Sequence, residues 1–267
     1  MTALGDLTWP EAEQLAAEGA VLAVPVGSVV QHGPHLPLGT DTDIAAALAG
    51  RLAAVRRDVI VAPPTGYGAS SQHAGFAGTI SIGPQALETV LSEACRSAAD
   101  TFRRILLISL HAGNDEPVIR AVRQLRAEHI EVIAWMPAAD PAVVPAGLLV
   151  PVPGLAGDTH DYRPPGVLPH QAGRAAVGDL HAGRFETSVQ LALDPHRVRL
   201  DSAKAGNTAP LAELTRALRA GGVRSVSPSG VLGDPSGATA DEGEQLLRSL
   251  SSELLAVVSR WMLGPLG

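Results

Sequence analysis

The chain has one cysteine, Cys95, among its 267 residues. An intramolecular disulfide and a cysteine-ligated zinc site are both excluded, and the composition suits a reducing cytoplasm. Aromatic residues are only 3% of the chain, so its core must be built from small aliphatic side chains. With 46% hydrophobic residues there is enough apolar surface for a sizeable core, and global disorder is excluded. No segment approaches the roughly 18–20 uninterrupted apolar residues of a membrane span. The 20 basic residues, against 27 acidic ones and a net charge of −7, form no basic run, which disfavours nucleic acid as a partner. The first residues lack a basic stretch followed by an apolar core, so no secretory leader is expected.

Strand and helix signals alternate along the chain. Val21 to Val26 is a short apolar run closed by Gly27-Ser28 and reads as a strand. Asp41-Thr42-Asp43 opens an Ala/Leu-rich helix to about Val55, with Asp43 expected as its cap. Val59 to Ala62 reads as a second strand, Pro84 to about Phe102 as a helix opened by proline, and Ile105 to Leu110 as a third strand. Glu116 to Ala127 reads as helix and Ile130 to Trp135 as a fourth strand. Continuously apolar strands alternating with helices predict an α/β fold, a parallel β-sheet sandwiched between helices. Residues 137–178 are rich in Pro and Gly and read as a long functional loop or a mobile segment rather than a second domain. Helices are expected again over Glu186–Leu193, Pro210–Ala220 and Asp241–Trp261. The whole chain, 1–267, therefore reads as one domain.

Ligands of such sheets sit beyond the carboxyl ends of the strands, and the polar clusters of this sequence fall there. Gln31-His32-Gly33-Pro34-His35 and the following Asp41 come directly after the first strand. Imidazole and carboxylate suit Zn²⁺, Fe²⁺ or Mn²⁺, and His32 with Asp41 reads as a ligand pair because other histidines occupy equivalent places. His111 ends the third strand, and His181 precedes Glu186 in the first turn of a helix. Two strand-end histidines plus a His/Glu pair point to metal-assisted hydrolysis. After the second strand, Ser70 and His73 lie in a Gly/Ser-rich stretch that reads equally as a substrate-binding loop or as an ordinary turn. His129 and His196 read as solvated. His160 and His170 fall in the long loop, able to approach the site or simply mobile.

Taken together these pieces resemble the creatininase family of metal-dependent amidohydrolases. The matching stretches are Gly27-Ser28-x-x-Gln31-His32-Gly33-Pro34-His35-Leu36-Pro37-Leu38, Asp41, Phe76-x-Gly78-Thr79, His111-x-Gly113-Asn114 and His181-Ala182-Gly183-x-x-Glu186-Thr187-Ser188. Three C-terminal stretches, Ala205 to Leu211, Gly221-Gly222-Val223 and Gly230 to Pro235, followed by Ala238-Thr239-Ala240, are similar to the branch of peptidases that serves mycofactocin biosynthesis. The resemblance implies a substrate of modified precursor peptide, trimmed of its C-terminal dipeptide, and a homo-oligomer, commonly a hexamer. It also implies roles: His32, Asp41 and Glu186 at one metal, Asp41 and His111 at a second, His181 as general acid/base, and Ser70 near the substrate.

The sequence departs from the family pattern at Val30, where a glutamate usually binds the second metal, and at Ser109-Leu110 and Gln72. Three readings of Val30 follow. The site holds one metal, a carboxylate such as Asp158 or Asp161 stands in, or catalysis has decayed. Three functions are in view: the peptidase, a hydrolase of a small cyclic amide or formamide, and a non-catalytic binding or assembly subunit. The C-terminal stretches favour the first, and Val30 is the main support for the last.

Overall fold

The computed structural model describes residues 1–137 and 179–264. Five strands form one all-parallel sheet: β1 (Thr2–Ala3), β2 (Val21–Val26), β3 (Val59–Val61), β4 (Arg104–Ser109) and β5 (Val132–Trp135), in the order β1-β3-β2-β4-β5. Apart from Pro137, the expected long loop lies outside the described residues, and with it Asp158, His160, Asp161 and His170.

The strands are buried on both faces because both are covered by helices. Along β4, Leu106 and Ile108 face one side and Ile105 and Leu107 the other. The first set packs on α2 (Thr40–Val55), α5 (Arg184–Leu193) and α7 (Ala240–Leu263). The second packs on α3 (Pro84–Ala99) and α4 (Asp115–Ala127). Ile60 and Leu22 pack on α1 (Trp9–Ala17) toward the edge of the sheet. This is the α/β/α sandwich that the alternating signals predict. Each fully buried Leu or Ile here contributes about 1.5–3 kcal/mol. A further helix, α6 (Leu211–Gly221), lies outside these main layers, in a smaller apolar cluster with Val223 and Leu232. No described helix is long and apolar enough to cross a membrane.

Two elements at the start of the chain escape a periodicity reading. β1 is only two residues long. α1 is announced instead by a reciprocal cap: Thr8 and Glu11 satisfy each other's backbone at its N-terminus, with Pro10 in the first turn. Asp43 is not the cap of α2. That position is Gly39, without a side-chain bond, and Asp43 accepts from Gln190 Nε2 (3.0 Å) and pairs with Arg197 (2.7 Å).

β2 and β4 are neighbours, yet the chain leaves β2 toward β3 on one side and β4 toward β5 on the other. That divergence opens a crevice at their carboxyl ends, and the loops after β2 and β4 meet in it.

Candidate metal centre

His32 follows β2, His111 follows β4, and Asp41 sits in the first turn of α2. Gly27 lets that turn approach. A Cβ there would overlap Thr42, so any other residue would push the α2 N-terminus, and Asp41 with it, off the end of β2. Asn114 ties the loops together, accepting from the Ala69 N–H (2.9 Å) and donating to the Gly27 carbonyl (2.9 Å). His181 is held by a two-way backbone bridge to Leu232 (2.9 and 2.8 Å). Glu186 stands in the first turn of α5 and accepts from the Ala182 N–H at 2.5 Å.

These residues converge. His32, Asp41, His111, His181 and Glu186 are all buried. His32 Nε2 lies 3.3 Å from Asp41 Oδ1 and 4.0 Å from Glu186 Oε2. His111 Nδ1 lies 2.9 Å from Asp41 Oδ2, and His181 Nδ1 lies 3.9 Å from Glu186 Oε2. One ligand atom each of His32, His181 and Glu186 lies within 4.8 Å of the other two.

The far nitrogen of each imidazole fixes where its proton sits. His32 Nδ1 donates to the Val30 carbonyl (3.0 Å), and His181 Nε2 to the Gln31 carbonyl (2.6 Å). His111 Nε2 meets the Ala69 carbonyl (3.3 Å) and Ser70 Oγ (3.0 Å). A carbonyl only accepts, so each of these nitrogens carries a proton. Each ring, when neutral, therefore aims a lone pair at a carboxylate, an arrangement that a proton or a metal cation between them makes favourable. Backbone carbonyls holding the far nitrogen are the usual support of metal-bound histidine. In keeping with this, His32 Nε2 and Asp41 Oδ2 are buried without an aligned hydrogen-bond partner. The residues fit a divalent cation.

The electrostatics agree. Burial opposes charge on His32, but Asp41, Glu186 and the Val30 carbonyl outweigh it and hold the imidazolium up to about 9. Burial would also raise Asp41, yet His32 and His111 keep it well below the usual carboxylate range. Burial, reinforced by His32, pushes His181 down to about 4, below the ordinary imidazole value near 6.5 that a general acid/base role leads one to expect. Burial likewise lowers His35 to about 4, and its Nε2 bonds Thr187 Oγ1 (2.9 Å) rather than a carboxylate.

Ser70 and His73 are both buried at the rim after β3. Ser70 Oγ bridges His111 Nε2 and Ser28 Oγ (2.5 Å). The His73 ring lies 4.5 Å from that of His181 and 6.0 Å from that of His111. His129 and His196 are exposed, as expected. Sequence reasoning passes over Ser28, Asn114 and the side chain of Gln31. The Gln-His pair after a strand is the signal for Gln31, but its partners lie far away in the chain. Beside Gln31, a groove of about 390 Å³ is lined by Leu38, Phe76, Ala77 and Pro228, among others.

A buried carboxylate–imidazole cluster at the carboxyl ends of a parallel sheet defines a metal-dependent hydrolase class of site. The family model described as creatinine amidohydrolase matches residues 5–258, and the chain belongs to the creatininase family. It is similar to a mycofactocin precursor peptide peptidase of Mycolicibacterium smegmatis (strain ATCC 700084 / mc(2)155), 42% identical over 93% of this chain and 88% of that protein. A protein of the same name from Mycobacterium ulcerans (strain Agy99) is 41% identical over 99% of this chain and 94% of its own. A solved structure of a Type II mutant creatininase superposes with a TM-score of 0.73 at 26% identity, covering 97% of each chain.

Proposed function

We propose that this chain is a metal-dependent amidohydrolase, the peptidase that removes the C-terminal dipeptide from the modified mycofactocin precursor peptide. The observation that carries the reading is the convergence of three imidazoles of fixed tautomer on the buried carboxylates of Asp41 and Glu186. The names of the mycobacterial relatives support the substrate.

His32, Asp41 and Glu186 would hold the ion, with Asp41 also turned toward His111. Oxygen and nitrogen donors without thiolate suit Zn²⁺, Fe²⁺ or Mn²⁺. When bound, such an ion supplies Lewis acidity, bringing the pKa of water toward about 7 and polarising an amide carbonyl. The chain's own groups do the rest. His181 is neutral, its Nε2–H fixed on the Gln31 carbonyl, so Nδ1 is free to take a proton and pass it to the leaving nitrogen. Ser70 and His73 bind substrate at the rim. The same reading makes residues 1–267 one catalytic domain working as a cytoplasmic homo-oligomer, which sedimentation of the purified protein checks.

The test is reconstitution of metal-stripped protein with Zn²⁺, Fe²⁺ or Mn²⁺ and the modified precursor peptide, with products read by mass. Metal-dependent release of the C-terminal dipeptide is expected. Turnover of creatinine or a formamide with an intact precursor would overturn the substrate assignment. Absence of turnover with all ions and substrates would favour the non-catalytic reading.

A further inference from the structure

Gln31 stands between the groove and the metal centre, and both protons and the oxygen of its amide are directed. Its Oε1 accepts from the Gly33 N–H (2.9 Å), and its Nε2 donates to the Gly230 carbonyl (3.1 Å). Those two partners fix which end of the amide is oxygen, because one can only donate and the other can only accept. The second Nε2 proton then points to His73 Nδ1 at 2.9 Å. His73 Nδ1 is therefore an acceptor, and a neutral His73 must carry its proton on Nε2. That Nε2 has no hydrogen-bond partner among the described residues. The ring itself lies against His181 and near His111, at the edge of the carboxylate cluster.

The arrangement is built rather than incidental. Gly230 has φ +82°, and a Cβ there would overlap the Gln31 amide, so the 230 turn is shaped to receive it. The backbone carbonyl of Gln31 also takes the proton of His181 Nε2, so one residue orients two imidazoles.

We propose that His73, locked by Gln31 as the Nε2–H tautomer, is a catalytic hydrogen-bond donor to the carbonyl oxygen of the scissile amide, and that Gln31 is its positioning residue. A fixed neutral donor aimed at an oxygen that gains negative charge stabilises the transition state more than the ground state. It also costs nothing to reorganise during the reaction. The assignment rests on the amidohydrolase reading of the site but not on the identity of the peptide.

Two measurements on the zinc-loaded protein test it. Long-range proton–nitrogen NMR of the imidazoles reads the tautomer of His73 without any substrate. Steady-state kinetics use whichever amide the wild type turns over, precursor peptide or small cyclic amide. We expect a single Nε2–H species for His73 in the wild type and a mixture of tautomers in Gln31→Met. His73→Phe should lower kcat by about 10²–10³-fold, the usual cost of one such donor, with KM changed far less than kcat and bound zinc retained. His73→Gln, which retains an N–H donor, should recover part of that loss. A wild-type proton on Nδ1 would overturn the proposal, as would a His73→Phe enzyme with wild-type kcat. A correct tautomer together with an uncleaved precursor and a turned-over small amide would defeat the peptidase assignment alone.

Discussion

The two sides of the Asp41 carboxylate are built differently. Oδ1 faces His32, and beyond it stand Glu186 and His181. Oδ2 faces His111, whose far side rests on the Ser70 hydroxyl and the Ala69 carbonyl, and Val30 in this loop offers no ligand. The first side joins two carboxylates to imidazole donors. The second has one shared carboxylate and one imidazole among the described residues. A hard divalent ion is bound by charge as much as by geometry, so the difference predicts one strong site and one weak one.

Substitutions can break or sharpen this contrast. The largest effect is expected for Glu186→Gln, which should lose stoichiometric metal and turnover together; elemental analysis and activity on one sample check it. If Glu186→Gln keeps its metal, the stronger side has been misassigned. His181→Ala should slow kcat by roughly 10²–10⁴-fold. Metal content distinguishes the two tasks open to it, since retained metal marks a proton carrier and lost metal a ligand. Ser70→Ala acts on the weaker side, through the orientation of His111, and should cost about 10–100-fold in affinity for a second ion, measured by competition with a chelator. Val30→Glu should strengthen that side and raise the metal content from one ion per chain toward two. An unchanged content would mean that the weak side is limited by something other than the missing carboxylate. The smallest effect is protonic. Without metal His32 is held at about 9, so at neutral pH it carries a proton that the ion must displace. Metal binding should release close to one proton at pH 7 and none well above pH 9, as calorimetry in buffers of different ionisation enthalpy would show.

The layered fold was legible from local pattern. Apolar runs such as Val21–Val26 and Ile105–Ile108 have no polar face, and only a doubly covered sheet accommodates that. α1 escapes such a reading because its signal is a four-residue cap and not a periodic stripe. Asp43 looks like a cap because short acidic residues favour helix starts, but a tertiary partner, Arg197, claims it instead. The candidate ligands were legible because they sit at strand ends and at a helix start, where chain direction alone places them on one rim. The proton positions were not, since they depend on which carbonyl each ring meets. The partners of the Gln31 amide were illegible for the same reason: its Nε2 is directed by Gly230, 199 residues further along.

The bridge between His181 and Leu232 has a consequence for synthesis. The five described strands have all been synthesised by Trp135, long before residue 232 leaves the ribosome. Until then the backbone bridge that holds His181 cannot form, and the 230 turn that seats Gln31 does not yet exist. Catalytic competence is thus postponed to a late stage of translation, and a protein interrupted just before that turn would lack both this bridge and α7, which covers one face of the sheet.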